Sequence, residues 1–210
     1  MSTRQRRARE KELRRRSILD AARAAFFEDG FHLATVDDVA ARAEVSKGTV
    51  YLYFESKETI LAHLLLEGLD ELVAVLEEAY AAERDIAPGE RLRRLAMGYL
   101  NFFQANPHYF RLIMALDRGR FQQTVPDQLY EQILARSLRG FHWVIRAVEQ
   151  GINQEVFNVT ECRQAAAALW ASLNGVLVLL GHPLRREMVA SDLESLYWTT
   201  FDIALRGLQG

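Results

Sequence analysis

The twenty residues 35–54, T-V-D-D-V-A-A-R-A-E-V-S-K-G-T-V-Y-L-Y-F, hold two short helical patterns on either side of a tight turn. Thr35 is a good N-cap, and Asp38, three positions on, puts a carboxylate in the first turn, where backbone N–H groups lack partners. Val39 and Ala40 give a small apolar surface before the pattern stops near Ala43. Glu44-Val45 forms the turn, and Ser46 caps a second helix whose Val50 and Phe54, four apart, share one face. Helices this short bury too little surface to stand alone, so they must pack on each other and on neighbouring elements. This is the pattern of a helix-turn-helix.

The second helix exposes an unusual set of side chains. Opposite Val50 and Phe54 stand Gly48, Thr49 and Leu52, with Tyr51 and Tyr53 at the flanks and Lys47 at the start. Glycine costs a helix about 1 kcal/mol relative to alanine, which makes sense where a backbone must approach something bulky. Thr and Lys can hydrogen-bond base edges, and tyrosine hydroxyls and lysine reach phosphate oxygens. An ordinary solvated helix is the alternative, and this residue choice argues against it.

Arg15 to Leu69 resembles the DNA-binding domain of the TetR (tetracycline-repressor) family of bacterial transcription regulators. The matching residues are Ile18-Leu19, Ala21-Ala22, Phe26, Gly30, Ala34-Thr35, Val39-Ala40, Val45 to Tyr51, Tyr53-Phe54 and Ser56-Lys57. Glu44 departs from the pattern, since glycine is frequent at that turn. If the residue is left-handed, glutamate there costs roughly 1–2 kcal/mol. The resemblance covers about a quarter of the chain and implies a phosphate contact at Lys57. The candidate DNA-binding set is Thr35, Ser46, Lys47, Gly48, Thr49, Tyr51, Leu52, Tyr53 and Lys57.

Half of the 210 residues are apolar, prolines number four, and no strand-like alternation occurs, so an all-α protein is expected. Charge is divided unevenly: residues 1–57 hold twelve Lys and Arg against nine Asp and Glu, while the remainder is acidic. That suits a nucleic-acid-binding head on a body that does not bind DNA. Residues 1–13 form a basic arm without an apolar run, neither secretory signal nor membrane anchor. The arm is either a solubilising disordered tail or a salt-sensitive contact to phosphate or the minor groove, and its position favours the contact. Residues 14–73 are the helix-turn-helix domain, and 74–210 an effector-binding and dimerisation domain.

About nine helices are expected, three in the head and six behind it. The first runs from Ile18 to Asp29 and ends at Gly30 as a left-handed cap. A long helix from Ser56-Lys57 to about Arg84 links head to body. Further helices start at Pro88, near Tyr109 and near Val125, with Gly119 in a connection. Thr160 is expected to cap the next, and Ser191 with Glu194 to form a capping box for the last.

Residues 165–184 carry no charge. Ser172, Asn174 and Gly175 interrupt the run and Pro183 ends it, so it reads as a buried helix rather than a membrane span. Ala171 and Gly175, four apart, allow a second helix to come close. With the last helix beside it, the segment resembles the four-helix dimer interface of the TetR family, with Ala171, Gly175, Leu179, Leu196 and Thr200 as candidate interface residues. Two-fold symmetry also fits a head that reads one half-site.

Nothing in the sequence argues for catalysis. Cys162 is single, in keeping with a reducing cytoplasm, and the five histidines make no metal-binding pattern. No cofactor is expected. Phe103, Phe110, Met114, Phe141 and Trp170, with Ser137 and Asn174 as sparse polar groups, are the candidate ligand-binding residues for a mostly apolar, largely uncharged effector. The sequence therefore reads as a homodimeric transcriptional repressor, bound to a palindromic double-stranded operator and released by a small hydrophobic molecule. The alternative is a DNA-binding architectural or division-associated protein without a small-molecule ligand.

Overall fold

The computed structural model describes residues 3–81, 85–116 and 121–210. Among them are eleven α-helices and no strand. In order these are α1 (Thr3–Glu28), α2 (Val36–Arg42), α3 (Lys47–Tyr51), α4 (Lys57–Ala81), α5 (Pro88–Ala105), α6 (Pro107–Leu116), α7 (Phe121–Thr124), α8 (Asp127–Asn153), α9 (Cys162–Leu180), α10 (Pro183–Val189) and α11 (Leu193–Gln209). The expected end of α4 near Arg84 and the connection at Gly119 lie outside the described residues.

Four expectations need correction. The first helix begins at Thr3, fifteen residues before Ile18. The arm is rich in Arg, Glu, Lys, Gln and Ala, all strong helix formers, and pairs such as Arg6–Glu10 stitch one turn to the next. Among the described residues the count is eleven helices rather than about nine, because α7 and α10 escape the pattern. A four-residue helix shows no period, and Pro183, which ends the α9 pattern, sits at the first turn of α10, where its missing N–H costs nothing. Glu161, not Thr160, precedes α9 as its N-cap and makes no side-chain cap bond. Asp192, not Ser191, caps α11 by accepting the Ser195 N–H at 2.8 Å. A carboxylate is the better acceptor at the positive end of a helix.

The chain divides into two compact units, one of residues 1–69 and 106–134, the other of residues 70–105 and 135–210. The core of the first joins Ile18, Ala22 and Phe26 of α1 to Val39 of α2, Val50 of α3 and Ile60 and Leu64 of α4. Leu112, Val125, Leu129 and Ile133 belong to the same core. Each of these Val, Leu, Ile and Phe side chains contributes roughly 1.5–3 kcal/mol on full burial. Both α4 and α8 run from one unit into the other.

In the second unit α9 packs along α11, with Leu177, Leu180, Tyr197 and Phe201 almost fully buried. The Tyr197 hydroxyl donates to the Ala96 carbonyl at 2.8 Å, and burial pushes its pKa up. Arg91 is buried yet satisfied. It donates from Nε to Gln150 at 2.7 Å and from Nη1 to the Tyr80 carbonyl, and its guanidinium lies 4.6 Å over the Tyr80 ring. α9 is long and apolar enough to cross a membrane. A core helix has the same composition, and seven of its residues are buried.

Candidate nucleic-acid interface

Capping bonds fix the helix-turn-helix. The Thr35 hydroxyl accepts the Asp38 N–H at 3.3 Å, while the Thr35 N–H and hydroxyl both donate to Asp38 Oδ2 at 2.7 Å. This reciprocal capping box holds the Asp38 carboxyl below its usual pKa, chiefly through the Thr35 hydroxyl. Ser46 accepts the Thr49 N–H at 3.1 Å, and its hydroxyl meets the Thr49 hydroxyl at 2.8 Å. Ser56 does the same for the Thr59 N–H at the start of α4. Glu44 in the turn has a φ of 53°, the left-handed conformation for which glycine is better suited. Gly30 has a φ of 88°, as a left-handed residue after α1 requires.

With Val50 and Phe54 anchored in the core, the rest of α3 faces solvent. Leu52 is 79% exposed and Tyr51 45%. Lys47 and Gly48 are exposed too, and a Cβ on Gly48 would meet only Ser46 Oγ, at 3.8 Å. Thr35 and Ser46 are exposed at the starts of α2 and α3, while Thr49, Tyr53 and Lys57 are half-buried. Lys57 extends its ammonium over the Phe26 ring, 5.6 Å from the centroid. All nine candidate DNA-binding residues lie in the first unit.

Three further features of this head were not drawn from the sequence. Lys47 forms an ion pair with Asp37 of α2 at 2.7 Å, which raises the lysine pKa. Arg42 ties α2 to the end of α1 through Glu28 at 2.5 Å and Asp29 at 2.9 Å. Arg15 bonds the His63 ring at 3.1 Å and sits 5.2 Å over the Phe54 ring, where α1 meets the exit of the motif. Spacing within one helix shows none of these, because each partner comes from another element.

The candidate effector residues are divided. Phe110 and Met114 belong to the first unit; Phe103, Ser137, Phe141, Trp170 and Asn174 to the second. Phe141 and Trp170 come together, with ring centroids 6.0 Å apart. Ser137 and Trp170 are exposed, and the buried Asn174 accepts from the Tyr99 hydroxyl at 2.6 Å and donates to the Trp170 carbonyl at 3.0 Å. Trp143, beside Tyr80 at 4.8 Å, has a buried indole N–H with no acceptor among the described residues. Of the candidate interface residues, Ala171 and Gly175 are exposed, while Leu179, Leu196 and Thr200 are half-buried.

The family model for bacterial regulatory proteins of the tetR family matches residues 18–64. Beyond the head, the chain is 39% identical over 170 residues to the HTH-type transcriptional regulator YfiR of Bacillus subtilis, covering 80% of each protein. The chain belongs to the TetR family. It is also 31% identical over 149 residues to the transcriptional repressor KstR2 of Mycobacterium tuberculosis, 69% of each protein. Of the transcriptional activator FasR of Mycolicibacterium smegmatis it spans about half the length, 47%, at 33% identity. The TetR-family regulator PfmR of Thermus thermophilus has the same fold, with a TM-score of 0.69 at 26% identity over 92% of this chain and 99% of that one. These relatives are transcriptional regulators, and the all-α architecture with an N-terminal helix-turn-helix is that of the family.

Proposed function

We propose that the protein is a ligand-responsive repressor that binds a palindromic operator as a homodimer in the bacterial cytoplasm. The observation that carries this reading is α3. It is anchored by Val50, capped by Ser46, and exposes Lys47, Gly48, Tyr51 and Leu52. Gly48 leaves room for close approach, Thr49 can reach base edges, and Lys47, Tyr51, Tyr53 and Lys57 suit phosphates. The repressor sign follows KstR2, which aligns over two thirds of its length, rather than FasR, which does not.

Dimerisation is assigned to the outer face of α9 and α11. Ala171, Gly175 and Val178 form an exposed stripe of three- and four-residue steps on α9, and Ile203 is exposed on α11. The effector is assigned to the second unit and to the mostly apolar, largely uncharged class. There the Trp143 N–H adds one hydrogen-bond donor for an acceptor oxygen. A buried donor left unpaired costs about 1–3 kcal/mol, so a ligand that satisfies it gains by that amount. α4 is the route from effector to operator, and whatever the operator loses in affinity on effector binding, the effector loses on operator binding.

A DNA duplex selected from a random pool, followed by gel shift against a panel of apolar compounds, tests the reading. A palindromic selected sequence, and at least one compound that both releases it and raises Tm, are expected. A selected sequence with no responsive compound would favour the architectural alternative.

A further inference from the structure

We propose that the N-terminal half of α1 is a one-sided basic rail that grips duplex DNA outside the half-site read by α3. This rests on the operator-binding reading and extends its footprint. The packed face of α1 is Ile18, Ala22 and Ala25, with Leu19 and Phe26 beside them. Continuing toward the N-terminus in the same three- and four-residue steps reaches Arg14 and Arg15, then Lys11, Arg7 and Arg4. Residues that recur at these intervals share one face of a helix. The side of α1 that is apolar against the head core is thus mainly basic beyond it, with the small Ala8 as its one uncharged position.

The carboxylates of this segment are used elsewhere. Glu10 pairs with Arg6 at 3.4 Å and Glu12 with Arg16 at 3.2 Å, all four off the basic face. Arg4, Arg7, Lys11 and Arg14 are exposed and form no ion pair with described residues. Four unpaired cations along one face, against Arg9 alone on the other, is the arrangement expected of a surface that meets an extended polyanion. The root of the rail fixes which one. Arg15 stacks on Phe54, three residues after Tyr51 at the end of α3, and bonds His63. The rail therefore starts beside the exit of the recognition segment. From Arg4 to Arg14 it runs about 15 Å at 1.5 Å per residue, or four to five base pairs at about 3.4 Å each.

The test compares two full-length variants that lose equal charge from opposite faces. One carries Arg4→Ala, Arg7→Ala and Lys11→Ala; the other Arg6→Ala, Arg9→Ala and Arg16→Ala. Alanine preserves helix propensity. The probe is a duplex selected from a random pool by the unsubstituted protein, with ten-base-pair flanks or trimmed to its half-sites. Each phosphate contact contributes about 0.9 to the slope of log affinity against log salt. Three lost contacts per protomer, six per dimer, should flatten that slope by about 5.4, so the fall in affinity between 50 and 200 mM salt shrinks by about 1,800-fold. The off-face variant should keep most of the original slope, and trimming the flanks should weaken the unsubstituted protein but not the first variant. Equal effects of the two variants, no effect of either, or binding indifferent to the flanks would overturn the rail. So would a first variant that binds DNA normally yet loses adsorption to anionic lipid vesicles. An unsubstituted protein that selects no sequence would instead sink the operator reading on which the rail rests.

Discussion

Gly175→Arg separates folding from dimerisation. A Cβ at Gly175 meets nothing within 4 Å, and the residue is exposed. The protomer can therefore accept a long side chain there without a clash, and its guanidinium stays in water. At a two-fold interface the same substitution buries two like charges, one from each copy. Several kcal/mol per uncompensated ion, taken as about 3 each, gives about 6 kcal/mol, or a dissociation constant more than four powers of ten weaker. A nanomolar dimer would become monomeric at micromolar concentration while helicity and Tm of the protomer stay the same. Sedimentation at 1–10 μM, about the range in which the two states separate, reads the first and circular dichroism the second. A variant that remains dimeric and binds operator places the interface elsewhere. One that unfolds shows that Gly175 is packed within its own chain.

Three other outcomes are expected. Tyr51→Ala should weaken operator binding by about 1–3 kcal/mol per half-site with the fold intact, and an unchanged gel shift removes α3 from the interface. Lys47→Ala should cost more than the double variant Lys47→Ala/Asp37→Ala, because the single change leaves the Asp37 carboxylate unneutralised before the phosphates; equal losses refute the coupling. The third concerns acid. Burial first, and the Arg15 charge second, bring His63 down to about 4 from 6.5. The unfolded chain then binds the extra proton between pH 6.5 and about 4, so this contribution to stability is complete above that window and falls away as pH drops through it. In His63→Gln the drop in Tm across the same window should be smaller, and an identical pH profile would contradict the assignment.

Local chemistry made the head legible. Thr35, Ser46, Val50 and Phe54 act within one or two turns of their own positions, and their caps and buried faces stand as the sequence implies. Glu44 is left-handed, in the turn where glycine is the commoner choice. What escaped the sequence is of two kinds. Asp192 and Ser191 are both capping residues one position apart, and propensity alone cannot choose between them. The Lys47–Asp37, Arg42–Glu28 and Tyr99–Asn174 pairs join separate elements, so no spacing rule contains them. The start of the first helix was placed too late, at Ile18, because polarity all round a segment marks disorder and a solvated helix alike. Asn174, a polar residue in the apolar stretch of α9, is bonded within the protein at both ends of its amide, and no spacing rule supplies the Tyr99 partner.

The ion pair at the mouth of the motif bears on how this head counts phosphates. Lys47 already has an anion before any DNA arrives. When a phosphate takes that ammonium, Asp37 is left bare beside a polyanion and draws in a cation from solution. One ion set free from the duplex is then offset by one taken up at the carboxylate. Each head should therefore bind through one more phosphate than its salt titration reports, and a dimer through two.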